Sequence, residues 1–229
     1  MKTAIKYSLS IALTALAVWG TLTASADKPA QKTARNGNFI ISPPVADPVY
    51  NQAGQPAVSG NTLLYGDTSG ECGHRYPITA PDGHQVTLME WTRAQGTATA
   101  KCVQNGTHVV LQLSGLIPHG LYTVWVGVFQ APGLPDFSNI VGLGALGAPD
   151  GSQNAFVASS EGKAVLSTIH PSGPLSVFDD RASTGCLLDE FEVALFIGLH
   201  LDGQTHGGLP HEPDNACTVA FPGGFDFKQ

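Results

Sequence analysis

The sequence predicts an all-β protein, an antiparallel β-sandwich stapled by disulfides, and three observations carry that expectation. Glycine (27 residues) and proline (16 residues) recur along the 229-residue chain, and no window beyond about Thr62 keeps a helical period. Short runs of alternating apolar residues lie between turn dipeptides such as Asn105-Gly106 and Asp202-Gly203. The cysteines, Cys72, Cys102, Cys186 and Cys217, form an even set in a chain that opens like an exported protein.

That opening has three parts. Lys2 and Lys6 precede an apolar run, Leu9–Leu22, which closes on Ala24-Ser25-Ala26. This is the layout of a secretory signal peptide, residues 1–26, with cleavage expected after Ala26. The run is too short, and too interrupted by Ser10 and Thr14, for a membrane span of about 20 residues. The expected mature chain, 27–229, is secreted or periplasmic and has no membrane span. Losing Lys2 and Lys6 moves the net charge from −7 to −9. An acidic chain without a Lys/Arg cluster argues against nucleic acid and anionic membrane as partners.

In an oxidising compartment the thiols should pair. Three connectivities are open, and Cys72–Cys102 with Cys186–Cys217 is favoured because each closes a loop of similar, modest length. Closure entropy would give each roughly 3–4 kcal/mol. There is no close Cys-x-x-Cys pair, so zinc held by these thiols is not expected.

Along the chain, residues 27–36 read as a flexible tail and 37–65 as an irregular arm carrying Pro43-Pro44, Pro48 and Pro56. Residues 66–229 read as a single sandwich domain. Asn105-Gly106 suits a two-residue type I′ turn. It would set Cys102 opposite Val109, Ala100 opposite Leu111 and Ala98 opposite Leu113, all on one apolar face. Phe156–Ser159 and Ala164–Ile169 flank a Ser160–Lys163 turn. In 190–201, Phe191, Val193, Leu195, Ile197, Leu199 and Leu201 share one face, while Glu190, Glu192 and His200 fall on the other, mostly wet one.

The segment from Gly115 to Trp125 resembles the corner between two strands of fibronectin type III domains. Leu116, Pro118 and Tyr122 fall on its Leu-x-Pro-x-x-x-Tyr spacing. The resemblance implies a tyrosine hydroxyl bonded back to the corner backbone. Because the chain continues for about a hundred residues, it implies an immunoglobulin-like sandwich with extra strands, eight to ten in all. Across 70–229, Pro81-Asp82-Gly83, Tyr122–Trp125 and Asp202–Gly207 are similar to a group of exported bacterial proteins without an assigned activity. That likeness implies the compartment and the sandwich, and carries no catalytic residue across.

The sharpest chemical feature is the group His200, His206 and His211, with Asp202, Glu212 and Asp214 nearby and His119 from a neighbouring loop. Imidazoles and carboxylates at this density are candidates for Zn²⁺ or Cu²⁺. A two-residue turn at Asp202-Gly203 argues the other way. It would put His200 opposite Thr205 and Leu199 opposite His206, leaving the imidazoles on opposite sheet faces. Only a longer loop would bring them together. Gly142-x-Gly144-x-x-Gly147 matches a dinucleotide fingerprint literally, but Ala148-Pro149-Asp150-Gly151 follows where a helix is needed, so it reads as a small-residue strand or loop. Glu190 and Glu192 on one strand face would stand about 6.5–7 Å apart, a spacing open to glycoside hydrolysis and commoner for two solvated acids. Trp125 and Phe129 flank Gly127 and could form a ligand platform for sugars, although Tyr122, Val124, Val126 and Val128 make the other face apolar and favour a covered core strand.

The leading expectation is therefore a non-catalytic binding or structural module of unknown ligand and partner, with no cofactor, for which a glycan or a cell-surface protein is the candidate partner. The alternative is a transition-metal-binding protein using His200, His206, His211 or His119. A hydrolase using Glu190 and Glu192 comes third.

Overall fold

The computed structural model describes residues 34–41, 46–66, 72–134, 136–181 and 183–228. The expected signal peptide and its cleavage point lie outside them. Among the described residues no helix is long and apolar enough to cross a membrane.

The described residues form ten strands: β1 Arg35–Asn38, β2 Gln95–Val103, β3 Gly106–Ser114, β4 Leu121–Phe129, β5 Ile140–Ala145, β6 Ala155–Val157, β7 Ala164–Pro171, β8 Phe178–Asp179, β9 Glu192–His200 and β10 Val219–Phe227. Single-turn helices α1 (Leu88–Trp91) and α2 (Leu187–Glu190) interrupt them. A four-stranded sheet runs β1-β2-β3-β7, and a six-stranded sheet runs β10-β9-β4-β5-β8 with β6 also paired to β4. All pairings are antiparallel, and the two sheets pack together as a β-sandwich.

The core follows from alternation. Ala98, Ala100, Val109, Leu111 and Leu113 from the smaller sheet meet Tyr122, Val124, Val126, Val193, Leu195, Ile197, Leu199 and Phe225 from the larger. The β2–β3 hairpin turns one residue earlier than expected: Val103 pairs with Gly106, Ala100 with Val109 and Ala98 with Leu111. Gln104 and Asn105 are the central residues, and Gly106, at φ 144°, takes the positive φ just past them. After Leu116, the Tyr122 hydroxyl accepts the Ile117 N–H at 2.9 Å, which fixes the chain where it enters β4.

Three expectations are corrected here. The disulfides are Cys72–Cys217 and Cys102–Cys186, not pairs of near neighbours. Each joins distant stretches that the sheets bring side by side, which spacing along the chain does not reveal. Arg35 and Asn36, assigned to a flexible tail, belong to β1. The Arg35 guanidinium donates to the Leu188 carbonyl at 2.7 Å and the Lys228 carbonyl at 3.1 Å, anchoring that strand. The described part of the irregular arm joins the domain through Ile40–Gly224, Leu63–Thr87 and Tyr65–Pro77 bridges, and Leu64 is fully buried. Finally, β9 has no wet side: all nine residues are buried because it lies between β10 and β4 with loops over its second face.

His170, on β7 opposite Thr107, is 2% exposed, and burial pushes its pKa down to about 4 against a hydrogen bond with the Ala145 backbone. Its ordinary value is 6.5, so below that pH the unfolded chain takes up a proton that the folded one refuses. Stability from this group is complete above about pH 6.5 and falls as the pH drops toward 4. Urea unfolding at pH 7 and pH 4.5 should show a stability loss smaller by about 2–3 kcal/mol in His170→Leu than in the parent.

Candidate functional site

The site grows from the second face of the larger sheet, at one end of its central strands. Period-two alternation turns Thr123, Trp125 and Phe129 of β4 toward this face, together with Phe196 and His200 of β9. The Trp125 Nε1–H donates to Thr123 Oγ1 at 2.8 Å, and the same oxygen meets His200 Nε2 at 2.7 Å. His200 is 3% exposed, and its Nδ1 has no hydrogen-bond partner among the described residues. In the tautomer whose Nε2–H donates to Thr123, Nδ1 presents a bare lone pair. Burial, against the opposing pull of the Asp202 charge, holds its pKa near 4, so the ring is neutral and able to act as a ligand at neutral pH.

Beyond His200 the chain reverses within a few residues. Asp202 Oδ1 accepts the Gln204 N–H at 3.0 Å, and Gly203 takes φ 69°, a left-handed conformation that suits glycine. This local turn carries His206 back over His200, with ring centroids 5.7 Å apart. His206 Nε2 lies 2.9 Å from Asp202 Oδ2. One ligand atom each from His200, Asp202 and His206 lies within 4.8 Å of the other two. Zinc bonds of about 2.0–2.2 Å would ask for a closure of about an ångström. The His206 and Asp202 side chains are 12% and 23% exposed, so the cluster has a buried back and an open mouth.

The expected separation of the two imidazoles on opposite sheet faces is therefore overturned. Asp202-Gly203 does turn, but it does not start the partner strand. His200 pairs with Val219 and Leu199 with Ala220, leaving 201–218 as a long loop.

The other candidates are dispersed. The His211 Nδ1–H donates to the Glu212 carbonyl at 2.8 Å, outside the cluster. His119, at φ 60°, is exposed at the corner before β4 and donates its backbone N–H to the Ala158 carbonyl. Glu190 closes α2 and accepts from the Thr184 N–H and hydroxyl, whereas Glu192 starts β9 and accepts the Gly133 and Leu134 N–H groups, so they do not share a strand face. Trp125 and Phe129 are 1% and 0% exposed, and the Phe196 ring covers Gly127, so the two rings do not lie side by side on the open surface. The glycines of the apparent dinucleotide fingerprint lie in and just after β5. A Cβ at Gly142 or Gly144 would run into Leu175 or Ser176, which explains their small size without a nucleotide. Sequence reasoning missed Thr123 as the support of His200. Its odd position in β4, beside Trp125, was the available signal.

The fold and this cluster define a disulfide-linked antiparallel β-sandwich with two imidazoles and one carboxylate converging at an end of the larger sheet. In comparisons with known proteins, no family model, curated protein or solved structure matches the chain.

Proposed function

We propose that this protein is an exported metal-binding β-sandwich that holds a divalent transition metal, Zn²⁺ or Cu²⁺, through His200 Nδ1, Asp202 and His206. One observation carries the reading: a buried imidazole nitrogen without a partner lies beside a second imidazole and a carboxylate at an open surface. Nitrogen and carboxylate donors suit both ions, and the three-ligand set leaves a position for water. The Thr123 oxygen orients the His200 ring in the way outer partners orient metal-bound histidines. A secreted or periplasmic location fits the two disulfides and the signal-like first 26 residues. The Tyr122–Ile117 hydrogen bond supports an immunoglobulin-like arrangement with a fibronectin-type corner.

Calorimetric titration of chelator-stripped protein without a histidine tag tests this. One equivalent of Zn²⁺ or Cu²⁺ should bind. His206→Ala should weaken binding by more than the roughly 10–100-fold that loss of an outer partner brings. His119→Ala and His211→Ala should bind as the parent does. A parent protein that takes up neither ion, or a His206→Ala variant with unchanged affinity, sinks the reading.

A further inference from the structure

We infer that the same sheet face carries a second site, independent of the metal cluster: an apolar cavity that takes a neutral single-ring phenol. The cavity has a volume of about 210 Å³. Its floor is Trp125, Leu143, Phe196 and Phe221, contributed by four adjacent strands, β4, β5, β9 and β10. A floor built on strands is held in place before any ligand arrives. Phe137, in the short helical turn before β5, and Pro210, in the 201–218 loop, form the walls above it.

Size sets the first limit. An apolar cavity of about 150 Å³ accommodates benzene, and sites for drug-sized ligands run to roughly 300–1,000 Å³. A volume of about 210 Å³ leaves room for one ring and a small substituent. The walls set the second. The Phe137 ring already meets Phe129 edge-on at 5.8 Å and Phe196 at a tilt at 5.7 Å. A further ring entering this group finds the offset and edge contacts that aromatic pairs prefer.

The polar rim sets the third. A carbonyl oxygen can only accept, so the contact between His211 Nδ1 and the Glu212 oxygen places the proton on Nδ1. In the neutral ring Nε2 is then an acceptor, which suits a ligand hydroxyl that donates. Asp47, the acid at the same rim, accepts the Phe221 N–H at 3.0 Å, and no lysine or arginine among the described residues lines the cavity to receive a carboxylate or phosphate. A sugar would need several polar partners at once, and this floor offers hydrocarbon instead.

The experiment uses the full chain, chelator-stripped, with phenol, toluene and benzoate as probes and calorimetry and proton NMR as readouts. Phenol should bind saturably at one site, several-fold tighter than toluene and at least tenfold tighter than benzoate. Its ring protons should give nuclear Overhauser contacts to Trp125 and Phe196. Leu143→Trp, which fills the cavity, should weaken phenol at least tenfold, and His211→Ala should remove the preference for phenol over toluene. Thermal unfolding checks that each variant is folded, and the Overhauser contacts in the parent protein need no variant. Absence of saturable phenol binding, contacts to other residues, tighter binding of benzoate, or unchanged affinity in folded Leu143→Trp overturns the inference. Zinc titrated into the same samples keeps the two sites apart, because His206→Ala should lose metal and keep phenol.

Discussion

Replacing Cys102 and Cys186 together by alanine is expected to lower the unfolding free energy by about 4–5 kcal/mol, and the melting temperature by roughly 10–18 °C. The bridge spans 84 residues of chain, so its loss frees a large loop in the unfolded ensemble. It also sits in a buried seam. The Thr107 hydroxyl, 1% exposed, lies 3.4 Å from Cys186 Sγ and accepts the Leu187 N–H at 2.9 Å, which ties β3 to the start of α2. Alanine preserves that threonine contact with the Leu187 backbone, so most of the loss should come from chain entropy. The Cys72–Cys217 bridge closes a longer loop, 145 residues, and should contribute a similar amount. Urea unfolding under non-reducing conditions measures both. Peptide mapping without reduction checks the pairing itself: a 72–102 peptide pair would restore the short-loop connectivity and remove the basis of this expectation.

The pairing was not legible in the sequence, whereas the sheet faces were, and the difference has a physical origin. Side chains alternate with period two, so moving the β2–β3 turn one residue earlier shifts every cross-strand partner by two and leaves each side chain on its own face. Ala98, Ala100, Val109, Leu111 and Leu113 therefore reach the core despite the changed register. Disulfide partners depend on which distant segments, here mostly loops and helical turns, become neighbours, and local spacing holds no record of that. The second face of β9 misled for another reason. Glu192 and His200 look like solvent-facing residues, but each is buried against a polar partner supplied from elsewhere, loop 133–134 for one and Thr123 for the other. The site residues His200, Asp202 and His206 were legible by type. Their convergence was not, because it depends on the Asp202–Gln204 hydrogen bond and on a partner strand that starts only at Val219.

Glu192→Ala is expected to destabilise the protein by about 3–5 kcal/mol, and the argument separates a structural carboxylate from a catalytic one. Glu192 is 6% exposed and pairs with Phe129 at the end of β4. One of its oxygens, Oε2, accepts the N–H groups of Gly133 and Leu134 at 2.9 and 2.8 Å, where the chain folds back after β4. No side chain fits at Gly133, since a Cβ there would collide with the Gln130 carbonyl, so these N–H groups cannot readily turn elsewhere. Alanine leaves the buried Gly133 donor and the half-buried Leu134 donor unpaired, at about 1–3 kcal/mol each, and opens a void besides. Glu192→Gln keeps an acceptor oxygen of nearly the same shape and loses only the charge-assisted part, so about 1–2 kcal/mol is expected. Hydrogen exchange at the Gly133 and Leu134 amides should accelerate strongly in the alanine variant and modestly in the glutamine one. Metal affinity should not move in either, because His200 lies eight residues along β9, about 26 Å away. A glutamate consumed in this way has little left for hydrolytic chemistry with Glu190, which is itself bonded to Thr184. Unchanged stability and exchange in Glu192→Ala would free that carboxylate for another role.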